Sequence, residues 1–373
     1  MDYNTITSPV GYTLGLLNER GTSGICNNVS NITFINPAAI NEFNSYSFGF
    51  SYQVQSKIDE GWILDIGISR INNFIPQSVG VIIPLNNMRF GIGMGQIYNS
   101  SLEIGEIAVT TVINPDGTGE TFTPIFETTV QNYSLLFSYS FEKLFTTNGD
   151  LTMGLKINLN RLNEYESIFT LDVSESIYKE SWAVGSIYKI KFSENKSIRI
   201  GLAFESEILF SKSIELGTPD TTNIGGLNRP PGFYNIATAN FIMTGKVPSK
   251  LLFDTDITLS TQLKVLGNLT NIFWSGISDV HQNQLEFSGS IVYLFNNNIS
   301  SSIGAYYTNR IRTDNVNAIW GVEDKLDALF LTAGLNVKYN FLDVGLAIAD
   351  SHLASSSFRK QTILKMIVGV NIN

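Results

Sequence analysis

The chain has 373 residues, of which 43% are hydrophobic, 15% are charged and one is a cysteine, and its formal net charge is −9. Soluble domains usually carry about 25% charged residues, so we expect much of this surface to lie away from water. The negative charge argues against nucleic acid and other polyanionic partners, and the lone Cys26 argues against an internal disulfide or a cysteine-based metal cluster.

The first 43 residues show no sustained hydrophobic pattern. Met1–Asn4 has neither a basic start nor an apolar core, so no secretory signal is recognised, and we expect the sequence to represent a mature chain. The segment is rich in glycine, yet it carries apolar side chains such as Leu14, Leu17 and Phe34, too many for a disordered tail. We therefore expect residues 1–43 to form a compact segment that packs against the rest of the chain.

Residues 45–54 alternate strictly between two kinds of side chain. The apolar set is Tyr46, Phe48, Phe50, Tyr52 and Val54, and the residues between them are Ser, Gly and Gln. Successive side chains of a strand face opposite sides, so this strand would have one apolar face and one face of small polar residues. The same pattern recurs at residues 88–95, 151–160 and 364–372.

Fourteen strand candidates begin near residues 45, 61, 77, 87, 131, 149, 180, 196, 250, 284, 298, 327, 341 and 361, and an ambiguous segment lies at 263–278. Many are roughly 10–13 residues long, as a tilted membrane-spanning strand requires, whereas sandwich strands have about 5–6. No run approaches the roughly 20 apolar residues of a transmembrane helix. The sequence therefore predicts an all-β fold: a transmembrane antiparallel β-barrel of about 14 strands formed by residues 44–373, with residues 1–43 as a plug inside its lumen. A water-soluble β-rich protein is the alternative.

The connections between the predicted strands are of two kinds. Short turns are predicted at Pro84–Asn87, Ser193–Lys196 and Asn296–Asn298. Long polar connectors are predicted around residues 100–129, 211–246 and 308–325. Outer-membrane barrels have tight periplasmic turns and long extracellular loops. The asymmetry predicts a location in a bacterial outer membrane, with outer-membrane lipid against the apolar face.

The stretch NVSNITFINPAAI at residues 28–40 places Asn36, Pro37 and Ala38 directly before the first strong strand, and Glu19–Gly24 lies upstream of it. This arrangement resembles the N-terminal hatch of the FadL/TodX family of outer-membrane hydrophobic-compound transporters, in which a glycine-rich segment precedes an Asn-Pro-Ala motif. The glycine-rich stretch is thinner here than is usual in that family.

The resemblance covers the whole chain at the level of pattern, and the hatch motif is its one specific part. It implies a fourteen-stranded barrel whose N-terminus is folded inside as a plug. It also implies that a ligand binds on the extracellular side and leaves sideways into the membrane, beside a kinked third strand.

We expect the site to combine the hatch with the residues along the ligand's route. Pro37 fixes its own φ and disfavours the helical region at Asn36. A ligand carboxylate would meet a lumenal cation such as Arg20 or Arg89, although such cations could instead balance lumenal carboxylates such as Glu205. Glycines on the third strand would permit a kink or make room for the plug. The predicted ligand-binding and hatch residues are Asn36, Pro37, Ala38, Phe34, Leu14, Leu17, Arg20, Arg89, Gly91 and Gly93.

No catalytic residue, metal site or cofactor is predicted. Of the two histidines, His281 falls in a predicted loop, and Asp350, Ser351 and His352 are adjacent on a strand whose neighbours point in opposite directions. The sequence therefore predicts a non-enzymatic protein that takes up small hydrophobic molecules, such as long-chain fatty acids or hydrocarbons, by passive lateral diffusion. Two alternatives stay open: a shuttle or attachment component of type IX protein secretion, with a secretion complex as its partner, and a general porin.

Overall fold

The structure is a computed structural model that describes residues 28–60, 68–103, 107–113, 119–122, 125–168, 171–215, 240–273, 282–309, 328–354 and 359–372. Within these ranges the chain forms eighteen strands and two short 3-10 helices, Val29–Asn31 and Pro37–Glu42. The strands are β1 (Tyr46–Glu60), β2 (Ile68–Leu85), β3 (Met88–Glu103), β4 (Ile107–Ile113), β5 (Gly119–Phe122), β6 (Ile125–Phe141), β7 (Gly149–Ile168), β8 (Leu171–Ser193), β9 (Lys196–Glu205), β10 (Ile208–Glu215), β11 (Asn240–Val247), β12 (Lys250–Thr258), β13 (Leu263–Ile272), β14 (Gln284–Leu294), β15 (Ile299–Thr308), β16 (Ala328–Tyr339), β17 (Leu342–Asp350) and β18 (Arg359–Ile372).

Fourteen strands of the described chain close into one antiparallel barrel. β1 pairs with β18 from Tyr46↔Ile372 to Asp59↔Arg359, so the sheet closes on itself. β4–β5 and β10–β11 form separate two-stranded sheets, and β3 therefore neighbours β6, and β9 neighbours β12, in the barrel wall. The predicted antiparallel barrel of about 14 strands is confirmed. In the described ranges, no helix has the length and hydrophobicity needed to cross a membrane.

The strand count agrees with the expectation because two errors in strand placement compensate. The separate strands expected near residues 61 and 77 are one strand, β2, which runs through Pro76, and the ambiguous segment 263–278 contains β13. The register between β1 and β2 shifts beside Pro76, which leaves Gln77 as an extra residue. A bulge of this kind is one of the few places where a proline, which lacks an N–H group, fits into a sheet.

The two ends of the barrel differ in their connections. At the short-turn end the strands are joined by tight turns, among them Asn86-Asn87 and Asn340-Phe341, in which Asn86 and Asn340 each have a φ of 52°. Asparagine enters this left-handed region more readily than most residues. The opposite end, the long-connector end, carries the longer connections and the β4–β5 and β10–β11 hairpins. The long connector expected at 100–129 is shorter than predicted, because β3 reaches Glu103 and β6 starts at Ile125.

The outward face of the barrel is apolar, and the inward face carries the buried polar side chains of the strands, as the alternation predicts. On β1 the outward Tyr46 and Phe48 are 55% and 43% exposed, whereas the inward Ser47 and Ser51 are 3% and 1% exposed. A closed sheet satisfies its backbone hydrogen bonds internally, and large apolar side chains on its outside are typical of a barrel surrounded by lipid.

The apolar outer face ends at a row of polar side chains. On β7 the outward residues are apolar from Leu151 to Leu159, and the next outward residue is Arg161. Arg161 pairs with Gln131 on β6 and with Tyr178 on β8, and its guanidinium carbon lies 5.8 Å from the centre of the Tyr178 ring. We call Gln131, Arg161 and Tyr178 the boundary row, since it marks where the apolar band of β6 and β7 stops toward the long-connector end. On β8 the outward Glu180, the partner of Leu159, lies one outward position nearer the short-turn end.

Residues 28–43, here called the inner segment, lie against the inside of the barrel. Ile32, Ala39 and Ile40 are each 0% exposed. The first 3-10 helix contacts β1, β2 and β18, and the second contacts β3, β6, β7 and β8. The inner segment therefore covers one continuous side of the inner wall, from β18 round to β8.

Candidate functional site

Strand glycines let the inner segment lie directly on the barrel wall. A Cβ atom added at Gly93 on β3 would lie 2.6 Å from Cγ2 of Thr33, and one added at Gly49 on β1 would lie 2.7 Å from the main-chain nitrogen of Ser30. These separations are far inside van der Waals contact, and a close-packed interior leaves little room for the neighbours to retreat. Glycine at these positions therefore sets how closely the segment approaches the wall.

Asn36 forms hydrogen bonds in two directions. Its Oδ1 accepts from the main-chain N–H of Ala38 at 3.0 Å and so caps the 3-10 helix that Pro37 begins. Its Nδ2 donates to the carbonyl oxygens of Ser186 on β8 at 3.1 Å and Leu202 on β9 at 3.2 Å. A short amide side chain supplies both an acceptor and two donors, so Asn36 shapes the turn and fastens it to the wall.

A buried charge network holds the middle of the inner segment. Lys156 on β7 is 1% exposed, and its Nζ donates to the carbonyl oxygen of Thr33 at 2.9 Å and lies 3.5 Å from Oε2 of Glu205. Nζ of Lys250 on β12 lies 3.3 Å from the same Glu205 oxygen. Buried charges are tolerated when they are paired and hydrogen-bonded. The network therefore links the inner segment to β7, β9 and β12.

A second ion-pair cluster holds the end of the inner segment. Oε2 of Glu42 lies 2.9 Å from Nη1 of Arg199, and Oε1 of Glu42 lies 3.9 Å from Nζ of Lys189. Arg199 also pairs with Asp256 on β12. Burial would raise the pKa of Glu42, but attraction to Arg199 and Lys189 outweighs burial and holds that pKa below its ordinary value of 4.5.

An apolar cluster lies inside the barrel next to Phe34 of the inner segment. Its members come from seven strands and from the inner segment: Phe34, Ile97, Val130, Leu162, Ile177, Ile208, Phe210, Val247 and Ile272. Val130, Leu162 and Ile177 are cross-strand partners, one residue beyond the boundary row toward the long-connector end. The apolar cluster is therefore a buried apolar patch formed by the inner wall and the β10–β11 hairpin, and it begins next to the boundary row.

The barrel wall between β2 and β3 is paired over only part of its height. In the described residues the pairing starts at the turn and stops at Ser78↔Gly95. Beyond that pair, β2 continues to Ile68 alongside β1, and β3 continues to Glu103 alongside β6. We call the unpaired stretch beyond Ser78 and Gly95 the side gap.

A bulge lies where the side gap begins. The register between β3 and β6 shifts between Gln96 and Tyr98, which makes Ile97 the extra residue. Ile97 is 4% exposed and belongs to the apolar cluster. Because a bulge bends the strand that contains it, we expect β3 to bend where its pairing with β2 ends. The side chain of Ile97 joins the apolar cluster at this point. β3 is the third strand of the barrel, where the family resemblance implied a kink.

The residues singled out from the sequence fall into separate places. Asn36, Pro37 and Ala38 lie against β7 and β8. Phe34 belongs to the apolar cluster. On β3, Gly93 lies beneath Thr33, and Gly91 lies beside Ile32 and Leu136. Leu14, Leu17 and Arg20 lie outside the described residues.

Arg89 lies at the short-turn end, away from the apolar cluster. Its guanidinium donates to the carbonyl oxygens of Phe43, Asn86 and Met88 and, at 2.8 Å, to Oδ1 of Asn44. These acceptors belong to the junction between the inner segment and β1 and to the β2–β3 turn. In this arrangement Arg89 anchors that junction.

Sequence reasoning missed most of the apolar cluster. Leu162 illustrates the signal that was available, since it follows Asn158 and Asn160 on the inward face of β7. An apolar residue on a face that is otherwise polar marks a patch in the lumen. Ile97 carried no such signal, because its inward direction depends on the bulge.

His352, Asp350 and Thr362 meet at the long-connector end of β17 and β18. Nδ1 of His352 lies 3.2 Å from Oδ2 of Asp350 and 3.4 Å from Oγ1 of Thr362, and Thr362 donates to Asp350. In a Ser-His-acid site the acid orients one ring nitrogen and the other nitrogen takes the nucleophile's proton. Here both partners approach the same nitrogen, and Ser351 is 0% exposed on the inward side.

Several solved structures resemble this barrel over nearly its whole length. No family model and no curated relative matches the sequence. The FadL homologue of Pseudomonas aeruginosa matches with a TM-score of 0.61 and 12% identity over 100% of both chains. The toluene transporter TbuX of Ralstonia pickettii matches with a TM-score of 0.60 and 11% identity, over 97% of this chain and 98% of that one. The toluene transporter TodX of Pseudomonas putida matches with a TM-score of 0.55 and 13% identity, over 99% and 98%.

This chain has the FadL/TodX barrel fold. The resemblance drawn from residues 28–40 is thereby confirmed at the level of the fold, over nearly the whole length of the chain. At identities of 11–13%, the likeness shows that the chains share an architecture, but it does not show which ligand this chain binds. Within the FadL/TodX fold, the features of this chain that bear on function are the inner segment, the apolar cluster and the side gap.

Proposed function

We propose that this chain is a bacterial outer-membrane channel through which small hydrophobic molecules move passively. In the proposed route a molecule enters at the long-connector end, contacts the apolar cluster and leaves through the side gap into the bilayer. The observation that carries the proposal is the double position of Ile97, which belongs to the apolar cluster and also forms the bulge that borders the side gap.

The height of the side gap supports a lateral route. Gly95, the last β3 residue paired with β2, is the partner of Asn132 on β6, one residue below the boundary row. The gap therefore starts close to the level at which the apolar outer band ends. A molecule leaving at the start of the gap, next to the last outward apolar residues, would pass from an apolar patch to lipid without crossing the polar lumen, and apolar burial alone would favour each step.

In the same proposal residues 1–43 form a plug and residues 44–373 the barrel. A fourteen-stranded barrel without a plug would leave a lumen open to water and solutes. The bonds that Asn36, Lys156 and Glu42 make across to the wall support a fixed plug over residues 28–43. A fixed plug would close the straight route to the short-turn end, so a sideways exit becomes necessary.

The ligands proposed for the channel are hydrocarbons and long-chain fatty acids. All nine members of the apolar cluster are uncharged and apolar, and burial of apolar surface stabilises by about 25 cal/mol per Å². The toluene transporters TbuX and TodX and a FadL homologue share the fold, which favours ligands of this class. No energy source is required, because the free energy of a hydrophobic molecule falls when it moves from water into the lipid.

Uptake by a strain that lacks the gene tests the proposal. We expect the deletion to slow uptake of labelled alkanes, alkylbenzenes or long-chain fatty acids, and the wild-type chain to restore it. Phe210→Asn, which places an amide in the apolar cluster, should restore less uptake than Leu209→Asn, its outward neighbour, which is 56% exposed. Both variants are compared at equal amounts of folded protein in the outer membrane. Unchanged uptake of every hydrophobic compound tried in the deletion strain would reject the proposal.

A further inference from the structure

Two buried amides form the last polar row before the apolar cluster. Asn132 on β6 and Asn160 on β7 are cross-strand partners, and each is 0% exposed. The next inward pair toward the long-connector end is Val130 and Leu162, both members of the apolar cluster. The two amides therefore lie where the polar part of the inner wall meets its apolar patch.

Both amides use their N–H groups and leave their oxygens without a donor. Nδ2 of Asn132 donates to the carbonyl oxygen of Thr33 at 3.5 Å. Nδ2 of Asn160 donates to the carbonyl oxygen of Lys179 at 3.1 Å and to Oγ of Ser181 at 2.9 Å. Carbonyl oxygens only accept hydrogen bonds, so they fix which end of each amide faces them.

The remaining amide oxygens are enclosed acceptors. Oδ1 of Asn132 and Oδ1 of Asn160 are buried and receive no hydrogen bond from the described residues. An enclosed acceptor without a donor is costly, and a bound molecule that supplies the donor removes that cost. A hydroxyl group is the smallest neutral group that does so while its carbon skeleton remains apolar.

We propose that the hydroxyl group of a hydrophobic ligand donates its one hydrogen to Oδ1 of Asn132 or of Asn160, so that the channel prefers alcohols and phenols to hydrocarbons of equal size. The inference rests on the proposed function, since the ligand's apolar body would lie on Val130, Leu162 and Phe34 of the apolar cluster. A hydrocarbon leaves both amide oxygens unpaired. A carboxylate brings only acceptors to them, and its counter-charge would have to come from Lys179, the exposed cross-strand partner of Asn160.

Three probes with the same chain length separate these cases: labelled 1-dodecanol, dodecane and dodecanoate. Channel-dependent uptake is the rate in cells carrying the full chain minus the rate in the deletion strain. We expect dodecanol to exceed dodecane by about threefold to tenfold, the range for one hydrogen bond at a buried site. Dodecanoate should not exceed dodecanol.

Leucine variants assign the preference to these residues. Asn132→Leu and Asn160→Leu keep the branched side-chain skeleton but remove the acceptor, and each should lower the dodecanol-to-dodecane ratio, toward one when combined. Asn158→Leu, one inward row closer to the short-turn end, is the matched control, because Oδ1 of Asn158 already accepts from Ser134 at 2.6 Å. That variant should leave the ratio at its wild-type value. A general loss of stability lowers both rates and leaves the ratio unchanged.

The possible outcomes separate this inference from the proposed function. Channel-dependent uptake of dodecane at the same rate as dodecanol would overturn the hydroxyl site and leave the hydrophobic channel intact. A preference for dodecanol that survives both leucine substitutions, or faster uptake of dodecanoate than of dodecanol, would also overturn the hydroxyl site. Channel-independent uptake of all three probes would instead count against the channel itself.

Discussion

Nζ of Lys156 donates to the carbonyl oxygen of Thr33 at 2.9 Å, at a point where the barrel wall and the inner segment are both buried. From a second part of the wall, Nζ of Lys365 on β18 donates to Oδ1 of Asn31 at 2.8 Å. Two buried lysines therefore hold Asn31 and Thr33 from different strands. This attachment explains how a short segment with little regular structure keeps one position inside a wide barrel.

Lys156→Met tests the contribution of this attachment to stability. The variant removes the donor to Thr33 and leaves Glu205 with Lys250 as its remaining cation. Leaving a buried charge without a partner typically costs about 3–5 kcal/mol. Because Lys250 still compensates Glu205, we expect a loss no larger than this, and the folded barrel should convert to the unfolded form at a lower temperature, as measured by heat-modified mobility on gels. Lys338→Met is the control, since Lys338 is 48% exposed in its pair with Asp343, and exposed pairs contribute about 0–1 kcal/mol. Equal effects of the two substitutions would contradict the prediction.

Gly185→Ala tests whether the inner segment acts as a plug. The added Cβ would collide with Oδ1 of Asn36, so the segment has to move off β8 or the wall has to give. We expect a higher ion conductance than wild type when the variant is reconstituted in planar bilayers. In Gly289→Ala the new Cβ would meet only the carbonyl oxygen of Leu266, at 3.7 Å, and conductance should stay at the wild-type level. A large steady current from the wild-type chain itself would favour a general porin.

A disulfide across the side gap tests the exit route. Gln77→Cys and Ile97→Cys place thiols at the first inward-facing positions beyond the Ser78↔Gly95 pair, each 4% exposed, and Cys26→Ser removes the native thiol. Because a disulfide holds the two Cα atoms within about 7 Å, the oxidised protein should take up labelled dodecane more slowly, and dithiothreitol should restore the rate.

The control for that disulfide lies within the paired part of the same strands. Val79 and Met94 are already cross-strand partners, so Val79→Cys with Met94→Cys should leave uptake unchanged whether oxidised or reduced. If the fully oxidised 77–97 disulfide permits uptake at the reduced rate, the side gap is not the exit.

The alternation of side chains could predict the barrel because it repeats on every strand. Tyr46 and Phe48 face outward and Ser47 faces inward for the same reason that Leu155 and Lys156 do, and no knowledge of distant contacts is needed. The same regular pattern gave no indication that the strands expected near residues 61 and 77 are one strand. Pro76 suggested a strand end, and only the bulge at Gln77 lets β2 continue.

The candidate site could be predicted only in part, because it depends on register and on contacts between distant residues. The side gap begins beside two single extra residues, Gln77 and Ile97. An alternating sequence pattern does not reveal where such an extra residue lies. Asn36 could be recognised as the residue that begins a turn, but its bond to Leu202 spans 166 residues. Local sequence fixes the turn, whereas only the closed barrel brings β8 and β9 to it.

The ion pairs of Glu42 predict how the hold on the inner segment depends on pH. The folded-state pKa of Glu42 lies below the ordinary value of 4.5 because of Arg199 and Lys189. A lowered pKa means that the stabilisation is fully present above 4.5 and is lost as the pH falls through the folded-state pKa. Wild type should therefore be more stable to heat than Glu42→Gln at about pH 7, and the difference should shrink toward about pH 3. Glu194→Gln, in the exposed β8–β9 turn, controls for the loss of one negative charge. A wild-type advantage of the same size at both ends of this range would show that Glu42 acts through packing and not through its charge.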